Sequence, residues 1–254
     1  RPVKFLKVND ETSSAMFTDN DEGLVFEVLK YYHLVRHFVP DFKQCLMIGG
    51  SGYAFPKDYL KKYPNATLDV VEIDPGLTEL ARKHFNLPDD LDLQIIHADG
   101  RIFLNKNQKK YDAIFMDAYK SILTIPFQLT TQEAVQKMYH SLNEGGAVFA
   151  NVISALAENK SEFLMAELAT YKSVFPTVLT FAVQYPNPTK KEEAYFQNIM
   201  IVGIKDTAQP TLNSSDSTLN SYLSHHINIQ IPKGTYILTD EFAPVEFLSG
   251  KNLK

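Results

Sequence analysis

Three glycines, Gly49, Gly50 and Gly52, stand between a short apolar run, Cys45 to Ile48, and a stretch of helical spacing from Lys57 to Tyr63. Glycine lets a backbone turn sharply and pass close to a ligand. Glu72 follows 20 residues after Gly52, at the end of the next apolar run. A carboxylate there can accept hydrogen bonds from both ribose hydroxyls of a nucleoside, and it disfavours a ribose 2′-phosphate. Asp99, in Ala98-Asp99-Gly100-Arg101, ends a third run. Its carboxylate can accept from an adenine amino group, cap the helix that follows, or do both, and Gly100 lets the chain turn beside the base. Asp117, in Phe115-Met116-Asp117-Ala118-Tyr119, ends a fourth run. A carboxylate there faces the reacting end of a nucleoside, where it can orient a cationic amine or take its proton. Singly, each also fits a plain glycine turn, a solvated strand-end acid or a loop acid. Their order and spacing together are much more specific.

These residues need a scaffold that ends four strands side by side. Val3 to Val8 alternates apolar and polar residues, Asn9-Asp10 signals a turn, and a second run ends near Phe17, which predicts a β-hairpin. Asp21 to Phe38 has helical spacing and is stopped by Pro40. Strands are expected at 45–48, 68–74, 93–98, 113–116 and 147–152. Helices are expected between them at 57–63, 77–85, 101–105 and 131–142, the last stopped by Glu144-Gly145-Gly146. A helix over 160–174 and two β-rich runs, 178–184 and 198–204, follow. Alternation of this kind predicts an α/β fold with a doubly wound, mostly parallel sheet and an antiparallel pair at one edge. The expected division is a hairpin over 1–20, a nucleoside-binding domain over 21–205 and a tail over 206–254. In the tail, Tyr236-Ile237-Leu238 is expected as an edge strand or flap.

The composition narrows the function classes. The chain has 254 residues, 44% hydrophobic, enough for one large packed domain. Its formal charge of −5 lacks the basic surplus of a nucleic-acid binder. No run of 18 apolar residues spans a membrane within it. The 17 Phe and 13 Tyr suggest ring-walled pockets. The single cysteine, Cys45, has no disulfide partner and no metal-ligand spacing, which fits a reducing compartment, here the cytoplasm. His225-His226 reads as a solvated pair with no third ligand, and no metal is expected. The chain opens on Arg1 rather than Met, so it is expected to be a piece of something longer.

The motifs resemble the spermidine/spermine synthase family. The matching stretches are Ile48-Gly49-Gly50, Val71-Glu72-Ile73-Asp74-Pro75, Asp99-Gly100-Arg101, Tyr111-Asp112 through Asp117, Leu129-Thr130-Thr131 and Gly145-Gly146. The likeness extends over roughly residues 3–204. It implies a Rossmann-like, methyltransferase-type fold preceded by a small β-domain. It also implies decarboxylated S-adenosylmethionine as co-substrate, a small-molecule amine as acceptor, and homodimers formed through the N-terminal region. Some similar proteins are fused to membrane-transporter segments, which the non-Met start accommodates. By position, Glu72 resembles the ribose-binding acid, Asp99 the adenine-side acid and Asp117 the catalytic aspartate. Tyr53 and Tyr119 flank the expected pocket and could wall a sulfonium by cation–π contact.

The sequence also departs from the family. An aspartate usually found in the glycine loop is replaced by Gly52, and a second aspartate of the catalytic loop by Lys120. The acceptor-binding Tyr-His-Glu segment is absent, the helix reading Glu27-Val28-Leu29, and the family's first strand is expected before Arg1. The nucleoside half is retained and the polyamine half is degraded. Three readings stay open on these residues: aminopropyl transfer, methyl transfer from S-adenosylmethionine, and a non-catalytic nucleoside-binding regulatory domain.

Overall fold

The computed structural model describes residues 1–8, 10–19, 22–89, 93–119, 125–208 and 210–250. Strands β1 (Val3–Val8) and β2 (Glu11–Phe17) pair antiparallel as the expected hairpin. Helices α1 (Glu27–Tyr31) and α2 (Val35–Phe38) lead to β3 (Gln44–Ile48), α3 (Ala54–Lys62), β4 (Thr67–Glu72) and α4 (Pro75–His84). Then come β5 (Leu93–His97), α5 (Gly100–Lys106), β6 (Tyr111–Met116), α6 (Gln132–Ser141) and β7 (Leu142–Ser154). The chain continues through α7 (Glu162–Lys172), β8 (Thr177–Ala182), β9 (Gln197–Ile204), α8 (Ser217–Leu223) and α9 (Val245–Gly250).

Seven strands form one sheet in the order β5-β4-β3-β6-β7-β9-β8, parallel except for β9. The period of two divides each strand between two cores. Cys45, Met47, Ala113, Phe115 and Phe149 pack on one face, while Leu46, Ile48, Ile114, Met116 and Val148 pack on the other. Helices bury both faces, so the central strands are apolar throughout rather than alternating. This is the doubly wound architecture expected from the sequence.

Several local readings change. The helix expected over 21–38 is two short helices joined by a 3-10 turn at Tyr32–Leu34. All three residues of the tighter turn, Tyr32, His33 and Leu34, are buried, as are Tyr31 and Val35 on either side, which one stripe of a regular helix cannot do. Helix α3 starts earlier than expected because Pro56 falls in its first turn, where no backbone N–H is needed. Gly145-Gly146 does not stop α6. Strand β7 begins at Leu142, and the register with β6 shifts there, so the glycines form an irregularity inside the strand. Tyr236-Ile237-Leu238 is no edge strand; the tail meets the sheet edge only in an isolated antiparallel bridge of His226 to Phe181 on β8. Leu238 is fully buried, its N–H donates to Thr170 Oγ1 at 2.9 Å, and its carbonyl accepts from Gln132 N at 2.7 Å. His225 is not simply solvated, since its Nδ1 lies 2.6 Å from the Tyr31 hydroxyl.

Candidate functional site

The strand order places the chemistry. All five parallel strands β3 to β7 point their carboxyl ends to one edge of the sheet. Because β9 runs antiparallel, its first residues lie at that same edge, with Asn198 opposite Ile153 of β7. Along the edge stand Asp99 after β5, Glu72 ending β4, the glycine loop after β3, and Asp117 after β6. Asn151 on β7, Asn198 on β9 and Gln184 after β8 continue the row. All of these line one cleft of about 610 Å³, a volume suited to a nucleoside-sized ligand. Asn151, Asn198, Gln184 and Gln128 were not singled out from the sequence. A polar Asn151 within an apolar strand is the one signal that marks any of them, because burying an amide is costly unless it is partnered.

Glu72 is buried and carries three backbone hydrogen bonds. Its Oε2 accepts from Gly50 N and Ser51 N, each at 2.9 Å, and its Oε1 from Asp74 N at 2.9 Å. The loop N–H groups that would otherwise suit a phosphate are thus turned onto the protein's own carboxylate. Gly49 has φ 99, and a Cβ there would stand 2.5 Å from the Asp117 carbonyl oxygen. Only glycine lets the loop pass this close to the end of β6. Ser51 and Tyr53 also take left-handed φ of 46 and 55, concentrating backbone strain at this loop.

Two expected contacts are corrected. Tyr53 does not wall the cleft. It is fully buried behind the loop, where its hydroxyl pairs with Thr78 Oγ1 at 2.7 Å and its ring fills the space beside Gly50. Gly52 does not face the cleft either. It packs under β2, and a Cβ would meet Ser14 Oγ at 2.5 Å. The hairpin therefore occupies the room an aspartate would need, and Ser13 and Ser51 hydroxyls pair across the junction at 2.7 Å. Gly52→Ala is expected to cost about 1–3 kcal/mol in urea unfolding, with Ser14→Gly recovering part of it in a double-mutant cycle. An unchanged midpoint would refute the contact.

Asp99 is the N-cap of α5. Its Oδ1 accepts from Ile102 N at 2.9 Å and its Oδ2 from Gln128 Nε2 at 3.3 Å, with the carboxylate still in the cleft wall. Gly100 also lines the cleft and opens α5, where a Cβ would stand 2.7 Å from Ile48. Asp117 lies deep in the cleft. Its N–H donates to Ile48 O at 2.9 Å, and its Oδ1 accepts from Asn151 Nδ2 at 3.0 Å. Burial pushes its carboxyl above the ordinary range, with Asn151 and Tyr32 opposing. The buried Tyr32 hydroxyl donates to the Met116 carbonyl at 2.9 Å and so fixes the residue before Asp117. Tyr119 donates to the Asn151 carbonyl at 2.8 Å, and burial holds its hydroxyl protonated.

Lys120 lies outside the described residues. Asp240 is spent elsewhere, paired with Arg101 and accepting from Thr131 Oγ1 at 2.7 Å. Among the described residues no cluster of three or more His, Cys, Asp or Glu is gathered for a metal ion, and no helix is long and apolar enough to cross a membrane.

Comparison with known proteins bears on this arrangement. A probable polyamine aminopropyl transferase of Bifidobacterium longum is 28% identical over 218 residues, 80% of this chain. The match covers 48% of that relative, so the chain spans about half its length. The crystal structure of a probable spermidine synthase from Corynebacterium glutamicum superposes with a TM-score of 0.75 at 21% identity, over 93% of this chain and 88% of that one. A spermidine synthase in complex with the transition-state analogue AdoDATO superposes with a TM-score of 0.62 at 19% identity, over 94% of this chain and 78% of that one. At these identities the two structures speak for the fold. The sequence model of the spermine/spermidine synthase domain matches residues 27–208, from α1 to just past β9, and on that match the chain belongs to the spermine/spermidine synthase family.

Proposed function

We propose that this domain transfers an aminopropyl group from decarboxylated S-adenosylmethionine to a small amine. The observation that carries the reading is the charge of the cleft. Glu11, Glu27, Glu72, Asp74, Asp99 and Asp117 line it, and no described lysine, arginine or histidine does. Such a cleft favours a donor with a sulfonium and an ammonium, and it disfavours the carboxylate that full S-adenosylmethionine would bring.

In this reading Asp99, steadied by Gln128, takes the adenine side. Glu72 Oε1 carries a single hydrogen bond and so retains an acceptor position for a ribose hydroxyl. The acceptor amine is held at Asp117, which takes its proton. The neutral nitrogen then attacks the propyl carbon next to sulfur. The new C–N bond forms as the C–S bond breaks, and the electron pair returns to sulfur, leaving neutral methylthioadenosine. The sulfonium is a built-in leaving group, so the protein's task is placement and proton removal. Tyr119, protonated and anchored to Asn151, offers a ring face rather than a base.

Calorimetric titration with decarboxylated and full S-adenosylmethionine tests the reading. The decarboxylated form is expected to bind at least about tenfold tighter, roughly 1.4 kcal/mol. Adding an amine is then expected to release methylthioadenosine. Tighter binding of the full form with S-adenosylhomocysteine as product would favour methyl transfer instead. Donor binding without turnover on any amine would leave a nucleoside-binding domain.

A further inference from the structure

The row of residues along the sheet edge changes character at Asp117. On the donor side stand Asp99 and Glu72, both acids. On the far side stand three carboxamides, which join into one ladder. Asn151 Nδ2 donates to Asp117 Oδ1 at 3.0 Å, and Asn198 Nδ2 donates to Asn151 Oδ1 at 3.0 Å. Gln184 Nε2 donates to Asn198 Oδ1 at 3.1 Å, while Gln184 Oε1 accepts from Asn198 N at 2.9 Å. An ionised carboxylate only accepts, so Asp117 fixes which way the Asn151 amide points, and each amide fixes the next. Every amide uses one of its two N–H hydrogens in the ladder.

Glu27, on α1, which packs against β9, is a further carboxylate of the cleft lining. It is already paired with Lys30 at 2.6 Å. A second ammonium entering beyond Asp117 would lose water without meeting an uncommitted acid among the described residues that line the cleft, since the buried Glu167 near Tyr119 is not one of them, and that is costly. A neutral group that both donates and accepts would instead meet a wall of matching donors and acceptors.

We propose that the recess beyond Asp117 takes a primary amine whose far end is an uncharged hydrogen-bonding group, of the carboxamide kind, rather than a second ammonium. This rests on the transfer reading for the reaction. The ligand class rests on the ladder alone. Gln184, exposed at the mouth, is the residue that meets the far end, and Asn151 is a positioning residue for Asp117.

The test compares 4-aminobutanamide, putrescine and butylamine, which share one chain length and differ at the far end. Their kcat/KM values with decarboxylated S-adenosylmethionine are measured. In parallel, their binding to the protein saturated with methylthioadenosine is measured by calorimetry. The amide is expected to lead putrescine and butylamine by about tenfold or more in both. Gln184→Glu places a carboxylate at the mouth without touching the core, and it is expected to reverse the order in favour of putrescine. Putrescine leading in the wild type, an unchanged ratio in Gln184→Glu, or binding of none of the three would overturn the assignment. Transfer with putrescine leading would sink the recess and keep the reaction. The expected binding order without any transfer would sink the reaction and keep the recess.

Discussion

Asp117→Asn is expected to lower kcat for amine transfer by about 10² to 10⁴, the usual worth of a positioned proton acceptor, while donor affinity changes less than about threefold. The carboxamide keeps the shape and can still meet Asn151, but it cannot accept the amine proton. The same substitution should not harm the fold. Burial raises the Asp117 pKa above its unfolded value, so the folded state binds this proton more tightly. The stability this gives is present below the unfolded pKa and is lost as pH rises through the folded one. Asparagine carries no buried charge, so near pH 8 its melting temperature is expected to equal or exceed the wild type's. That gap should shrink at acidic pH. For the same reason the acidic limb of the wild-type kcat profile is expected above the ordinary aspartate range. Scanning calorimetry and steady-state rates across pH check both halves. A variant that keeps full turnover would remove Asp117 as the base.

Glu72→Gln is expected to cost both stability and ligand. The carboxylate accepts from Gly50, Ser51 and Asp74 N–H groups, and no rotamer of a carboxamide can serve all three sides. With its oxygen turned to the loop, its NH2 faces the Asp74 N–H. The Asp74 bond is only part-buried, so losing it costs about 0.5–1.5 kcal/mol, read as a lower urea midpoint. The loop would lose its anchor and the ribose its acceptor. Donor affinity is then expected to fall by about 100-fold or more, roughly 2.7 kcal/mol. A variant of unchanged stability would show that Glu72 does not hold the loop, and unchanged affinity would show that it does not hold the donor.

The side of the cleft built from the glycine loop and the strand-end acids was legible because its pattern is local. A glycine loop, then an acid at the end of each following strand, is a pattern that parallel topology must bring to one edge. Gly49 and Glu72 therefore carried their meaning in type and spacing alone. Tyr53 did not, although it sits in the same loop. A left-handed φ of 55 turns it into the core, and nothing in the neighbouring residues announces that angle. Gly52 shows the reverse case. Read against the family it is a lost aspartate, whereas in space its missing side chain is the seat of Ser14, 38 positions earlier in the chain.

The carboxamide side of the cleft was illegible for a topological reason. Asn151 lies on β7, Asn198 on β9 and Gln184 just after β8, and they meet only because β9 inserts antiparallel between β7 and β8. Strand order is decided by which apolar faces pack, not by sequence separation. The sequence by itself determined the α/β class, the parallel core, the family and the three acids that end its strands, because periodicity and strand-end chemistry are properties of short segments. Only the tertiary structure decided that Glu72 ties down the loop, that the tail straps the helices through Leu238, and that a neutral amide ladder continues where the acids stop. Each of those depends on a contact between residues far apart in the chain, and such contacts are made by packing.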